Sequence, residues 1–269
     1  MNRLIIFLKG IVIGISMLVP GVSGGTMAII FGIYDDLIHA VGSFFEDWKK
    51  NIKLLLYLAL GGGVGILLFS RLIESLLNKF PLVMGFLFIG VVCGGLPTLY
   101  KKAKEGSSKK TDVTYLFIGL IIAILLSRDP ESISVMASVG DIKGILLLFI
   151  AGIIIAIALI LPGISTSFML LILGLYSITL NAINTFNIKF LAPILLGIFI
   201  GTIATTKVIE FFITKYPSKT YMLILGFVVG SIIPIYPGTP SGINILYSVI
   251  ALVVGFSIIY YIGKVNINV

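Results

Sequence analysis

Two stretches of this sequence set proline, glycine and hydroxyl residues in the middle of apolar chain. The first is Pro20-Gly21-Val22-Ser23-Gly24-Gly25-Thr26, inside an uncharged run from Ile11 to Tyr34. The second is Pro162-Gly163-Ile164-Ser165-Thr166-Ser167, inside an uncharged run from Gly144 to Ile188. Proline lacks an amide hydrogen and glycine accepts almost any backbone angle, so each Pro-Gly pair predicts a broken helix. A helix that restarts after such a break points unpaired amide hydrogens and a partial positive charge at whatever lies ahead of it. Glycines let an anion approach the backbone, and hydroxyls add donors without fixed charge. Phosphate or carboxylate is the ligand this chemistry favours. A plainer reading has Pro-Gly kinking two packed helices while small residues aid close packing. The duplication of the motif favours the binding reading.

Charged residues inside apolar runs form a second group. Arg71 with Glu74, and Lys207 with Glu210, are three residues apart and share a helix face. Ions at membrane depth are costly and usually functional, which would make Arg71 and Lys207 attractors of an anionic headgroup and Glu74 and Glu210 proton acceptors for coupling. Both pairs also lie toward the ends of their runs, where long side chains snorkel to water as local ion pairs. The two readings stand side by side. Asp35 and Asp36, just after Tyr34, could serve as catalytic carboxylates, but the wet end of a helix is the preferred reading, since Ser177 and Ile178 fill the corresponding places in the second copy.

The elements that hold these residues follow from composition. Of 269 residues, 58% are hydrophobic and 11% charged, and the mean hydropathy is +1.18. A soluble domain carries about 25% charged residues, so the chain is read as a polytopic membrane protein. The net charge of +8 sits in clusters between apolar runs, without an aromatic-laced stripe, which excludes nucleic acid as the expected partner. A single cysteine, Cys93, excludes an internal disulfide and a thiolate metal cluster. The single histidine, His39, cannot build a histidine metal site and is expected on a wet helix face. No cofactor or metal is expected. No small-residue cleavage site follows the first apolar run, so an uncleaved N-terminus is expected.

A span needs about 20 apolar residues. The chain accordingly divides into residues 1–128, with a hairpin over 4–34 and spans over 54–78, 81–100 and 113–127, and residues 129–269, with a hairpin over 144–180 and spans over 190–213, 220–233 and 243–262. Together they form one integral membrane domain. Ser23 is the expected cap of a helix running to Tyr34. Leu37, Ile38, Val41, Phe44, Phe45 and Trp48 recur at helical spacing, predicting an interfacial helix with Trp48 at headgroup level. The 113–127 run is short and must borrow length or thin the bilayer.

The two halves repeat. Shifting by 142 residues superposes Pro20-Gly21 on Pro162-Gly163, Ser23 on Ser165, Met27 on Met169, Gly32 on Gly174 and Tyr34 on Tyr176. Shifting by 136 superposes Gly61 on Gly197, Gly65 on Gly201, Arg71 on Lys207, Glu74 on Glu210, Phe80-Pro81 on Tyr216-Pro217, Gly90 on Gly226 and Gly94 on Gly230. Each unit holds a hairpin, crossing twice or re-entrant, plus three spans. The number of crossings per unit is therefore odd, and the second copy enters from the opposite side. The expected fold is all-α, with two inverted-topology repeats, each a Pro-Gly-broken, re-entrant hairpin plus three transmembrane helices. Inverted repeats with broken helices are the layout of secondary transporters. Basic residues agree: with the 101–110 loop cytoplasmic, that side collects Arg3, Lys9, Lys49, Lys50, Lys53, Lys101, Lys102, Lys104, Lys109, Lys110, Lys215, Lys219 and Lys264. Both termini are then expected in the cytoplasm.

These paired breaks resemble those of the bacterial membrane family called domain of unknown function 368, associated with translocation of polyprenyl phosphate (undecaprenyl phosphate), the PopT type. The resemblance covers essentially the whole chain. It implies a bacterial plasma-membrane protein that is not an enzyme and that returns undecaprenyl phosphate to the cytoplasmic leaflet for reuse in envelope synthesis. It also implies that Pro20 to Thr26 and Pro162 to Ser167 hold the phosphate head. Gly61, Gly62, Gly63 and Gly65 would let helices part for the lipid to pass. Two rivals remain. Undecaprenyl-pyrophosphate phosphatases also carry inverted repeats and a Pro-Gly-x-Ser motif, but with an arginine where Gly24 and Thr166 stand here. A secondary transporter of a small soluble anion is the other.

Overall fold

In the computed structural model the first Pro-Gly stretch separates two helices, α1 (Arg3–Met17) and α2 (Gly24–Ile30). The residues described are 3–18, 22–105, 109–126, 142–164, 166–175, 178–179, 181–182 and 185–267. Pro20, Gly21, Ser165 and Tyr176 lie outside them, and Ser167 is described in its backbone only. The remaining helices are α3 (Tyr34–Gly42), α4 (Trp48–Lys79), α5 (Pro81–Lys104), α6 (Val113–Leu126), α7 (Ile142–Ile160), α8 (Thr166–Ile172), α9 (Ile188–Lys215), α10 (Pro217–Gly230), the short α11 (Ile232–Ile235) and α12 (Ile243–Ile267). No strand occurs among the described residues.

Local chemistry sets several of these boundaries. Ser23 caps α2, its hydroxyl accepting the Thr26 amide at 3.2 Å. Gly32 then ends α2 at φ +66°, and Gly174 follows α8 at the same angle. The helix after Ser23 therefore stops at Ile30, short of the expected Tyr34. Phe80 and Tyr216 share φ near −135° and ψ 55°, each followed by a proline at the first helical position, which opens α5 and α10. The interfacial helix ends at Gly42. Asp47 caps α4, so Trp48 opens that long helix instead of closing the interfacial one.

Six helical segments are long and apolar enough to cross a membrane: Trp48–Lys79, Pro81–Lys104, Ile142–Ile160, Ile188–Lys215, Pro217–Ile235 and Ile243–Val265. The set differs from expectation at two places. Helix α6 has only 14 residues, and the chain that would extend it lies outside the described residues. Helix α7, expected as the first arm of the second hairpin, has 19. Helix α5 and the α10–α11 segment form the centre, with 56% and 61% of their most apolar stretches buried, against 11% for α4 and 22% for α12.

Close backbone contacts join the helices in pairs, and glycine makes each possible. A side chain on Gly10 would strike Leu58 and Gly61 of α4, and one on Gly152 would strike Ile194 and Gly197 of α9. Gly65 sits against Ile11, and Gly201 against Ile153. Gly61 and Gly65 thus close α4 onto α1, whereas Gly63 has nothing within 4 Å. At the centre, α5 packs on α12 and α10 on α6. Gly90 faces Leu252, and Gly226 faces Leu116. Gly255 faces Leu87 and Val91, and Gly119 faces Leu223 and Phe227. Every one of these contacts has its counterpart at the 142- and 136-residue offsets read from the sequence.

Candidate binding site at the helix breaks

Helices α1 and α2 lie side by side, with Gly24 against Ile13 and Met17. At the other end of α2, the Lys9 ammonium donates to the Phe31 carbonyl at 2.6 Å, satisfying an acceptor at the helix C-terminus. The first break therefore lies at the far end of a short hairpin from Lys9.

The two breaks meet there. The Gly163 amide donates to the Ser23 hydroxyl oxygen at 3.0 Å, and a side chain on Gly25 would press on Pro162. Gly163 has φ +84°, and a Cβ there would come within 2.6 Å of the Phe227 carbonyl carbon and 2.7 Å of the Val228 amide. Only glycine fits between the second break and α10. Val22 and Ile164 are buried among apolar neighbours, so the hydroxyls and amides are the polar part of the junction.

A hydroxyl oxygen has two lone pairs and one hydrogen. The Ser23 oxygen accepts from the amides of Thr26 and Gly163, so its hydrogen goes to the Thr26 hydroxyl oxygen 3.0 Å away. The Thr26 hydroxyl hydrogen is then the spare donor of the group. Thr26 is buried. Pro20, Gly21 and Ser165 cannot be added to this geometry, because they lie outside the described residues; Thr166 opens α8.

Arg71, Glu74 and Lys207 are exposed. Among the described residues no ion pair joins Arg71 to Glu74 or Lys207 to Glu210. Glu210 turns to α3 instead, because α3 packs on α9 and brings His39 Nδ1 within 2.5 Å of Glu210 Oε1 and the Ser43 hydroxyl within 3.4 Å of Oε2. Lys207 lines a groove of about 580 Å³ with Ser43, Phe44, Phe211 and Lys215. Among the described residues, neither charged pair shares a hydrogen bond or ion pair with Ser23, Thr26 or Gly163.

The sequence pattern alone places Asp35 at a solvated helix end. Its carboxylate in fact binds the Lys102 ammonium at 2.6 Å and the Tyr221 hydroxyl, and Lys102 reaches Tyr221 at 2.9 Å. Tyr34, next in the chain, is buried and donates its hydroxyl to the Ile160 carbonyl at 3.0 Å, at the end of α7. These residues come from four regions far apart in sequence, and no local pattern announces them.

Residues 13–245 match the family model described as VCA0040-like, undecaprenyl phosphate translocase-like. A polyprenyl-phosphate transporter of Staphylococcus aureus (strain NCTC 8325 / PS 47) is 33% identical over 270 residues, spanning 96% of this chain and 95% of its own. A polyprenyl-phosphate transporter of Vibrio cholerae serotype O1 (strain ATCC 39315 / El Tor Inaba N16961) is 31% identical over 258 residues, spanning 88% and 79% respectively. No solved structure matches the chain.

Proposed function

The chain belongs to the undecaprenyl phosphate translocase-like family, and from that membership we propose that this multi-pass membrane protein moves a polyprenyl phosphate, undecaprenyl phosphate in particular, from the outer to the cytoplasmic leaflet of a bacterial plasma membrane. The phosphate head binds where the two breaks meet, and the prenyl tail stays in lipid. The single observation that carries this reading is the Gly163 amide held on the Ser23 hydroxyl. The turn before the second restarting helix donates to the cap of the first there, and a phosphate oxygen entering between them takes the Gly163 amide and the Ser23 hydroxyl in place of their present partners, together with the spare Thr26 hydroxyl.

The architecture proposed with it is two inverted repeats, residues 1–128 and 129–269, with re-entrant hairpins 4–34 and 144–180. Support comes from glycine contacts that recur at the same offsets throughout, and from the Lys9 bond that folds α2 back along α1. Exposed Arg71 and Lys207 act as approach cations near opposite membrane surfaces, with Glu210 as a proton acceptor held by His39 and Glu74 as its counterpart.

The test is leaflet exchange of labelled polyprenyl phosphate in vesicles holding the purified protein. Exchange should exceed that of protein-free vesicles, and unphosphorylated polyprenol should be moved far less. Equal rates for both lipids, or uptake of a soluble anion with no competition from the lipid, would replace this reading with its small-anion rival.

A further inference from the structure

A second polar group lies at one end of the bundle, away from the breaks. Asp35 from the first turn of α3, Lys102 from the last turn of α5 and Tyr221 from the start of α10 converge there. Both Asp35 oxygens are engaged, one by the Lys102 ammonium at 2.6 Å and the other by the Tyr221 hydroxyl. Lys102 also lies over the Tyr221 ring, 4.8 Å from its centre. Its side chain is only 21% exposed, against 49% for Asp35. An ammonium and a phenol thus face a common oxyanion, and the oxyanion arrives on the more accessible side chain.

The duplicated frame makes this arrangement informative. At the offset of 136, Lys102 corresponds to Gly238 and Tyr221 to Gly85; at 142, Asp35 corresponds to Ser177, outside the described residues. Gly85 packs on the ring of Pro237. The helix contacts repeat almost residue for residue, yet one end of α5 carries donors and the other a glycine–proline contact. The two ends are about 25 Å apart along the helix axis. Packing symmetry does not require the cluster.

The route from the breaks to this end is short. Tyr34 joins Asp35 in the chain and holds the last carbonyl of α7 before the second break. Lys9, bonded to the Phe31 carbonyl, adds a further cation beside the same hairpin. We infer that Lys102 and Tyr221 form an inner station for the phosphomonoester head of the transported lipid, with the Asp35 carboxylate as its built-in placeholder. The inference rests on the transport reading above. A phosphomonoester carries about −1.5 to −2 charge and three acceptor oxygens, against one charge and two oxygens for Asp35. It therefore competes for Lys102 and Tyr221 when it arrives and yields them back to Asp35 when it leaves. Having donors at a single end gives a symmetric frame two unlike faces.

The experiment measures binding of polyprenyl phosphate to purified protein in lipid nanodiscs, with polyprenol and inorganic phosphate as parallel probes. Asp35→Asn should tighten binding about tenfold, because it removes the competing charge. Asp35→Asn combined with Lys102→Met should lose that gain and fall below the parent. Tyr221→Phe, which keeps the ion pair and serves if Asp35→Asn does not accumulate, should weaken binding several-fold. Competition by inorganic phosphate would assign the station to a phosphate head as such, and its absence to the head attached to its lipid. Unchanged affinity in Tyr221→Phe, or a gain in Asp35→Asn that survives loss of Lys102, overturns the station. If the parent protein fails to discriminate polyprenyl phosphate from polyprenol, the transport reading itself falls. Discrimination that is lost in Ser23→Ala but indifferent to Asp35, Lys102 and Tyr221 defeats the inner station alone.

Discussion

Ser23 carries more of the breaks' geometry than any other described residue. Its hydroxyl caps α2, receives the Gly163 amide and orients Thr26. Ser23→Ala removes one cap and leaves the Gly163 amide without its acceptor. A hydrogen bond to a charged group contributes about 1.5–3 kcal/mol, so headgroup affinity should fall roughly 10- to 100-fold, measured as polyprenyl phosphate binding in nanodiscs. Thr26→Ala should cost less, because it deletes one donor without opening the junction. Gly163→Ala tests position more than chemistry. Its φ of +84° and the adjacent Phe227–Val228 backbone leave a methyl no room, and left-handed backbone costs roughly 1–2 kcal/mol by itself. A lowered melting temperature in detergent is expected, with the first break's contact to α7 lost as well. A variant as stable as the parent would mean that the second break does not sit against α10.

Helices pair through their glycines, and each pair predicts a matched set of variants. Gly61→Ala should destabilise the protein by about 1–3 kcal/mol, as overpacking does, because the Phe7 carbonyl lies where the methyl must go. Gly197→Ala should do the same against Phe149. Gly63→Ala, with open space around it, should be neutral or gain up to about 1 kcal/mol from helix propensity. Thermal unfolding in detergent separates the three. Much at this scale was legible in the sequence: the Pro-Gly breaks, the Ser23 cap, Pro81 and Pro217 at helix starts, and the two offsets. What lies against what was not. Helices α6 and α7 are apolar nearly all round, so no face points to a partner, and the pairing of α5 with α12 and of α10 with α6 has no local trace. Spacing alone carries the interfacial helix past Gly42 to Trp48, but the Ser43–Asp47 turn intervenes. The Asp35, Lys102 and Tyr221 cluster was hidden for the same reason: an aspartate at a helix end reads as solvated until a lysine and a tyrosine from elsewhere in the chain fold onto it.

The whole molecule is a central pair, α5 and α10, each clasping a late helix from the opposite half, with the α1–α4 and α7–α9 pairs beside them. The late helix α6 crosses to α10 and α12 crosses to α5, so neither half completes its own core. That exchange fits a twofold axis in the membrane plane, and it makes orientation the decisive property of the molecule. If the repeats are inverted, Lys104 at the end of α5 and Thr239 after α11 lie on opposite sides of the membrane, with Lys104 in the cytoplasm. In a Cys93→Ser background, Lys104→Cys should react with a membrane-impermeant maleimide only after the cells are permeabilised, and Thr239→Cys should react in intact cells. Both positions are exposed, so a missing label reports sidedness and not burial. Labelling of both from the same side would break the inversion, and with it the opposed entry of the two hairpins that the proposed phosphate site requires. Labelling from the reverse sides would keep the inversion but turn the Lys102 end outward, making the asymmetric cluster a place where the lipid head is collected instead of delivered.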